Sequence, residues 1–388
     1  MQWIGMSFVD TELLKSLLTT LNSEFNYVEL YQPLSTGGLI FLASQEPIII
    51  DKSSFENSLT SDKINLLGVS GFYDFNTFKR MDDKTTRKIS NGAKISTDYY
   101  NILKIQSPKV IKKSLDVKEL TKLIGVNDPL IKEINDQYGY SLLMRLLQEK
   151  AYHRAKLITE YVVNTDQRKV FLDIIKDMQQ NTPQSRNQLL MMLDNSEYHE
   201  ELFYYLMTHR LASVPNNRLP KQVLNYINSN KTAKQLLMAW RMYQSQKWQE
   251  LRSLDSWLNE FEKPHPAHQF VDRIKMGWRI QSDNTHDNHI GLTMIDYHLA
   301  LNKSVNLLRM RTSISIKLGL MDEAIASLYE LININSQSNN RNSNLPKIIN
   351  NLTMILSSKI ESSDYPLIKI EKLTKKLTEL KHYIEAQS

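Results

Sequence analysis

The chain has 388 residues, of which 41% are hydrophobic and 23% charged, which is enough apolar material for buried cores and too much for a disordered tail. It contains no cysteine, so disulfides, thiolate zinc sites, iron–sulfur clusters and a cysteine nucleophile are excluded. Apolar runs such as Leu39 to Ala43 stop far short of the roughly 20 positions a membrane-spanning helix needs, and Met1-Gln2-Trp3-Ile4-Gly5 has neither the basic start nor the long apolar stretch of a secretory signal. A cytoplasmic protein is expected, with the inner face of the membrane as its other location and a partner as its only means of attachment there.

The net charge of +6 is unevenly spread. Residues 1 to 100 carry 9 basic and 12 acidic side chains, against 39 and 30 in the remainder, and 6 of the 11 glycines fall in the same first segment. Two regions of different construction are implied, at residues 1–112 and 113–388.

In the first region, Trp3 to Phe8 is apolar enough for the end of a strand. Asp10 then offers an N-cap for a helix over Thr11 to Phe25, in which Leu13, Leu14, Leu17, Leu18 and Leu21 form one wide apolar face suited to packing on a sheet. Tyr27 to Tyr31 and Gly38 to Ser44 read as strands joined by a turn carrying Pro33, Ser35, Gly37 and Gly38, which is a hairpin signal. One strand end plus a hairpin is an incomplete sheet, because a βαβ fold needs several parallel strands and crossover helices to bury both faces. The expectation is that the chain starts late in its own domain.

The run Gln2-Trp3-Ile4-Gly5-Met6, the helix ending near Phe25, then Val28-Glu29-Leu30-Tyr31 and Gly37-Gly38-Leu39-Ile40-Phe41-Leu42-Ala43-Ser44, resembles the last quarter of the spermidine synthase (polyamine aminopropyltransferase) fold, nearest its membrane-fused branch. In that family a strand ending in Gln-Trp leads to a helix, a phenylalanine-containing turn and a final antiparallel hairpin. A second block, Lys94 to Lys109, is similar to the Asn-Thr-Asp-Asp-x-x-x-Leu-Glu-Phe-x-x-Pro-Arg segment that follows the hairpin in fused members. Thr97, Asp98, Leu103 and Pro108 agree with it, while Ser96, Tyr99 and Lys104 depart. The resemblance implies that residues 1–112 are the last strands and hairpin of a Rossmann-like, methyltransferase-type α/β domain, and that the parent reaction is aminopropyl transfer to putrescine in polyamine biosynthesis.

From Leu115 onward glycine is sparse and apolar residues recur every three to four positions, as in Leu142, Leu143, Leu146 and Leu147, so the region is expected to be all helical. Breaks are expected at Asn181-Thr182-Pro183, from Val214-Pro215 to Leu219-Pro220, at Lys263-Pro264-His265-Pro266 and over the Ser/Asn-rich run Asn333 to Pro346. Short helices with one apolar face must stack to make a continuous core, which favours helix-hairpin repeats. Val305 to Asn333, with its Leu318-Gly319-Leu320 turn before Asp322-Glu323-Ala324-Ile325, looks like the middle of a tetratricopeptide repeat; Tyr140 to Val163 and Leu236 to Phe261 are looser versions. The fold class overall is α+β.

Aminopropyl transfer needs a glycine-rich turn for the nucleoside, an acid for its ribose, and an aspartate base, because the attacking amine must lose a proton and carboxylates must hold the cationic polyamine. In the family these lie upstream of the Gln-Trp strand, so no catalytic, cofactor-binding or metal residue is assigned. By resemblance Gln2, at the rim end of its strand, and Asp98, in the second block, are the candidate substrate-binding residues; their plain roles would be capping a strand end and a turn. The pairs His265/His268 and His286/His289 lie among Pro264, Pro266, Asn284 and Asn288 and read as solvated loop histidines. Basic clusters at Lys109 to Lys113, Lys231 to Lys234, Arg241 to Arg252 and Lys369 to Lys376 read as wet faces of amphipathic helices, not a nucleic-acid surface. The expected partners are proteins: an upstream polypeptide carrying the rest of the synthase domain, or a ligand of the helical array acting as a non-enzymatic scaffold.

Overall fold

The computed structural model describes all residues except 34–36, 59–67, 70, 97–113, 135–138, 195–196, 212–213, 216–217, 262–264, 338–344 and 388. The chain is mostly helical with one small antiparallel sheet, a coarse α+β class.

Strand β1 (Gln2–Gly5) is followed by helix α1 (Thr11–Glu24), whose first turn is closed by Asp10 Oδ1 accepting from the Leu13 amide at 2.8 Å. Then come β2 (Tyr27–Tyr31) and β3 (Gly38–Ser44), the expected hairpin, and short helices α2 (Lys52–Ser58) and α3 (Phe72–Asn76). A fourth strand, β4 (Lys79–Met81), precedes α4 (Asp83–Ser90). The sheet order is β1-β3-β2-β4. Because β3 is antiparallel to both its neighbours, β1 and β2 run parallel, joined through α1 and separated by the last strand of the hairpin.

Strand alternation sorts the hairpin onto two faces. Val28, Leu30, Leu39 and Phe41 are buried against Leu13, Leu14 and Leu18 of α1. Tyr31, Ile40 and Leu42 face an aromatic group containing Phe55, Phe75 and Phe78, with the Tyr31 and Phe75 rings 5.4 Å apart. Strand β1 is the thin edge: Trp3 is 59% exposed, and among the described residues β1 pairs with β3 alone.

The helices continue as α5 (Val117–Ile124), α6 (Leu130–Glu133), α7 (Gly139–Gln148), α8 (Tyr152–Thr159), α9 (Thr165–Gln180), α10 (Pro183–Leu193), α11 (His199–His209), α12 (Lys221–Ser229), α13 (Lys231–Gln244), α14 (Trp248–Ser253) and α15 (Asp255–Leu258). The last six are α16 (His268–Gln281), α17 (Thr285–Leu301), α18 (Val305–Lys317), α19 (Met321–Gln337), α20 (Leu345–Glu361) and α21 (Leu367–Gln387). Among the described residues no helix is long and apolar enough to cross a membrane.

The same turn recurs in the three stretches whose sequences look like repeat hairpins. After α7, Lys150 has φ +58°, the Ala151 amide donates to the Leu146 carbonyl at 2.8 Å, and the Lys150 amide to Leu147 at 3.0 Å. After α13, Gln246 has φ +57°, with the Lys247 amide on Met242 and the Gln246 amide on Tyr243. After α18, Gly319 has φ +76°, with Leu320 on Ser315 and Gly319 on Ile316. Each is a Schellman cap, which satisfies two terminal carbonyls and reverses the chain into the next helix.

By internal packing the chain divides into two compact units, Met1–Ala239 with Ser256–Val271, and Trp240–Asp255 with Asp272–Ser388. In the first, α7 to α12 follow one another as packed neighbours. In the second, α17, α18 and α19 pack in succession, and α20 and α21 close against α19 around one apolar core that includes Ile314, Leu328, Leu356 and Leu380.

Two expectations need correction. His286 and His289 lie inside α17, not in a loop, because Asn284 is an N-cap whose Oδ1 accepts from the His286 amide at 2.8 Å, and His268 opens α16 and is buried, not solvated. The Ser/Asn-rich break also starts later than Asn333, since Leu331 and Ile332 are buried and carry α19 on to Gln337.

Candidate functional site

The densest concentration of buried charge lies where β4 meets the start of the helical array. Strand β4 is Lys79-Arg80-Met81, and it places two cations in a sheet whose other strands are mainly apolar. Burying them requires partners. Lys79 Nζ is 2.5 Å from Glu29 Oε1 on β2, and the Tyr31 hydroxyl donates to Glu29 Oε2 at 2.6 Å. Burial and that carboxylate push the Tyr31 hydroxyl well above its ordinary value.

Arg154 enters from α8, on the far side of the Lys150 cap. Its Nε and Nη2 donate to Asp128 at 2.7 and 2.8 Å, its Nη2 also reaches the Lys79 carbonyl at 2.7 Å, and its Nη1 donates to the Thr77 carbonyl. The Asp128 side chain is fully buried. Burial pushes its carboxyl up, but the charge and hydrogen bonds of Arg154, with Arg80 behind, outweigh that and hold it below the usual carboxylate range. Arg145 of α7 donates through Nε to Glu149 and lies 3.6 Å from Asp74. Burial nonetheless raises the Glu149 carboxyl, with Asp74 adding to the shift.

Arg80 is 2% exposed and differs from the other two arginines. Its Nη1 donates to Gln32 Oε1 at 2.5 Å and its Nη2 to Thr121 Oγ1 at 2.9 Å, both neutral acceptors. Its Nε has no partner among the described residues. Burial, then the charge of Arg154, pulls its pKa down to about 9. Beside it opens a recess of about 150 Å³, lined by Gln32, Thr77, Arg80, Val117, Glu149 and the Lys150–Arg154 turn. Chemically this arrangement holds and orients charge. Asp128 and Glu149 are each committed to an arginine, and the Thr77 hydroxyl donates to the Asp74 carbonyl at 2.6 Å while lying 3.4 Å from Glu149 Oε1.

Gln2 stands exposed at the start of β1, opposite Phe41, with its amide donating to the Trp3 carbonyl at 3.2 Å, away from this recess. Asp98 lies outside the described residues, as do Lys109, Lys112 and Lys113. The histidine pairs are engaged locally: His265 Nδ1 accepts from the Ala267 amide at 3.0 Å, and His268 Nδ1 lies 3.0 Å from the His265 carbonyl. Among the described residues no three His, Asp or Glu side chains come together as a metal site would require. In α21 the lysines lie outside and Leu373, Leu377 and Leu380 are buried.

The residues of the recess come from four distant segments, so no local spacing announces them; the one sequence signal is a strand position given to two basic residues. No protein-family model matches the chain, and neither the curated proteins nor the solved structures contain a match.

Proposed function

We propose that residues 1–112 are the closing portion of a spermidine synthase-like domain, to which the helical region is appended as a protein-binding array. The observation that carries this reading is the order β1-β3-β2. The Gln-Trp strand, the crossover helix and the final antiparallel hairpin occur in the sequence the resemblance implies, and β3 returns to pair directly with β1. The other edge of β1, with no strand on it among the described residues, is where additional parallel strands would add. On this reading the chain supplies the back of the sheet, and the glycine-rich turn and the base come from outside these 388 residues. The parent chemistry is attack of a putrescine amine on the carbon next to the sulfonium of decarboxylated S-adenosylmethionine, forming a C–N bond, releasing a neutral thioether and losing one proton from nitrogen to the base.

An aminopropyltransferase assay with putrescine and decarboxylated S-adenosylmethionine tests it, using the chain alone and mixed with the product of the neighbouring upstream gene. Activity confined to the mixture supports the proposal. Silence in both arms overturns it and leaves a second reading, a non-enzymatic helical scaffold. That alternative is favoured by the three Schellman turns, which recur where a stacked tetratricopeptide-like array would need them.

A further inference from the structure

We propose that the recess beside Arg80 is a binding site for a compact oxyanion, the phosphate or carboxylate group of a small ligand. A buried guanidinium ordinarily faces a carboxylate, because a charge removed from water is costly unless paired. Arg145 has Glu149 and Asp74, Arg154 has Asp128, and Arg210 of the neighbouring helices has Asp177 at 2.6 Å. Arg80 has an amide oxygen and a hydroxyl. The nearest acids are already bound, Asp128 by both of its oxygens to Arg154 and Glu149 to Arg145. One donor, Nε, is unpartnered but shut off from the surface, while the side chain itself lines an opening. An oxyanion seated there places a negative charge against a guanidinium whose own hydrogen-bond partners are neutral.

The surroundings fit a small guest. At about 150 Å³ the recess is well under the roughly 300 Å³ at which pockets for drug-sized ligands begin. Lys150 and His153 are exposed on its rim and favour the approach of an anion. Gln32 and Thr77 add neutral polar groups to the lining. Glu149 is the one acidic group in the lining, and its bond to Arg145 and its raised carboxyl pKa both reduce its opposition.

The test is a titration of the whole chain with inorganic phosphate, and separately with acetate, against sodium chloride at matched ionic strength, read by calorimetry and by melting temperature. Saturable binding of phosphate, of acetate or of both supports the site and tells which headgroup it takes. Substitution at Arg80 risks the fold, so the deciding variants are at Val117, an exposed residue at the first position of α5, where either change leaves the helix intact. Val117→Glu sets a carboxylate at the mouth and should bind the anion at least about tenfold more weakly than its neutral counterpart of the same shape, Val117→Gln. No saturation beyond the chloride control, or equal binding by the two variants, overturns the proposal.

Discussion

The two compact units bury different things. In the unit that holds the sheet, Arg145 and Arg154 lie inside with their acids and Arg80 with neutral acceptors, and a second hub joins three helices: Asp177 accepts from Ser185 at 2.6 Å, Tyr205 at 2.7 Å and Arg210 at 2.6 Å. In the unit that ends the chain, the main core cluster is hydrocarbon, the Thr312 and Thr353 hydroxyls donate within their own helices to Leu308 and Ile349, and the Arg311–Asp296 pair lies partly exposed at 17% and 14%. The contrast separates two ways of fixing a helix position. Charge networks specify a single arrangement but are costly when half broken; apolar packing tolerates adjustment and loses free energy in proportion to volume removed.

Breaking a network should therefore have the largest effect. Arg154→Met leaves Asp128 buried without its partner and should cost about 3–5 kcal/mol in chemical denaturation, with Arg154→Met/Asp128→Asn recovering a large part of it; additivity of the two single changes would refute the coupling. Leu328→Ala, in the apolar core of the other unit, should cost about 2–5 kcal/mol with no such rescue. Overpacking comes next. A Cβ on Gly277 would stand 2.1 Å from the Tyr243 ring, which itself stacks on Trp240 at 4.8 Å, so Gly277→Ala should cost about 1–3 kcal/mol and shift tryptophan fluorescence.

Titration sharpens the contrast within the network itself. Glu149 has a raised carboxyl pKa in the folded state, so its contribution is full below the ordinary carboxylate value and is lost as pH rises through the folded one. Asp128 is held low, so its contribution is present above that ordinary value and disappears as pH falls through the folded one. Glu149→Gln should accordingly gain stability relative to the parent as pH is raised, measured by urea denaturation from pH 4 to 8. The smallest effect belongs to the surface: Lys376 meets Asp322 with both side chains well exposed, and Lys376→Ala should change stability by about 0.5 kcal/mol or less.

The elements legible in the sequence are those fixed locally. Asp10 caps α1, the alternation in Tyr27 to Tyr31 and Gly38 to Ser44 marks the hairpin, and Thr182-Pro183 starts α10 with the Thr182 side chain accepting from Ser185. Asn284 is equally a cap by residue type, but the neighbouring Asn and His residues are as common in loops as in helix starts, so composition does not decide that segment. Strand β4 was not legible, because nothing near Lys79-Arg80-Met81 states that Glu29, Gln32 and Thr121 will receive its cations. The recess follows the same rule. Its composition is set by which distant segments meet.

The placement of β3 between β1 and β2 also orders events in time. The β2–β3 hairpin and the capped helix pairs join residues close in the chain, and such contacts close quickly. The β1–β3 ladder joins Gln2 to Phe41 across α1 and β2, so β1, synthesised before its partner, pairs only after a longer segment has closed. Until β3 arrives, Trp3 and Ile4 wait in water beside an unpaired backbone, and the interval is set by the rate of synthesis as much as by the rate of folding.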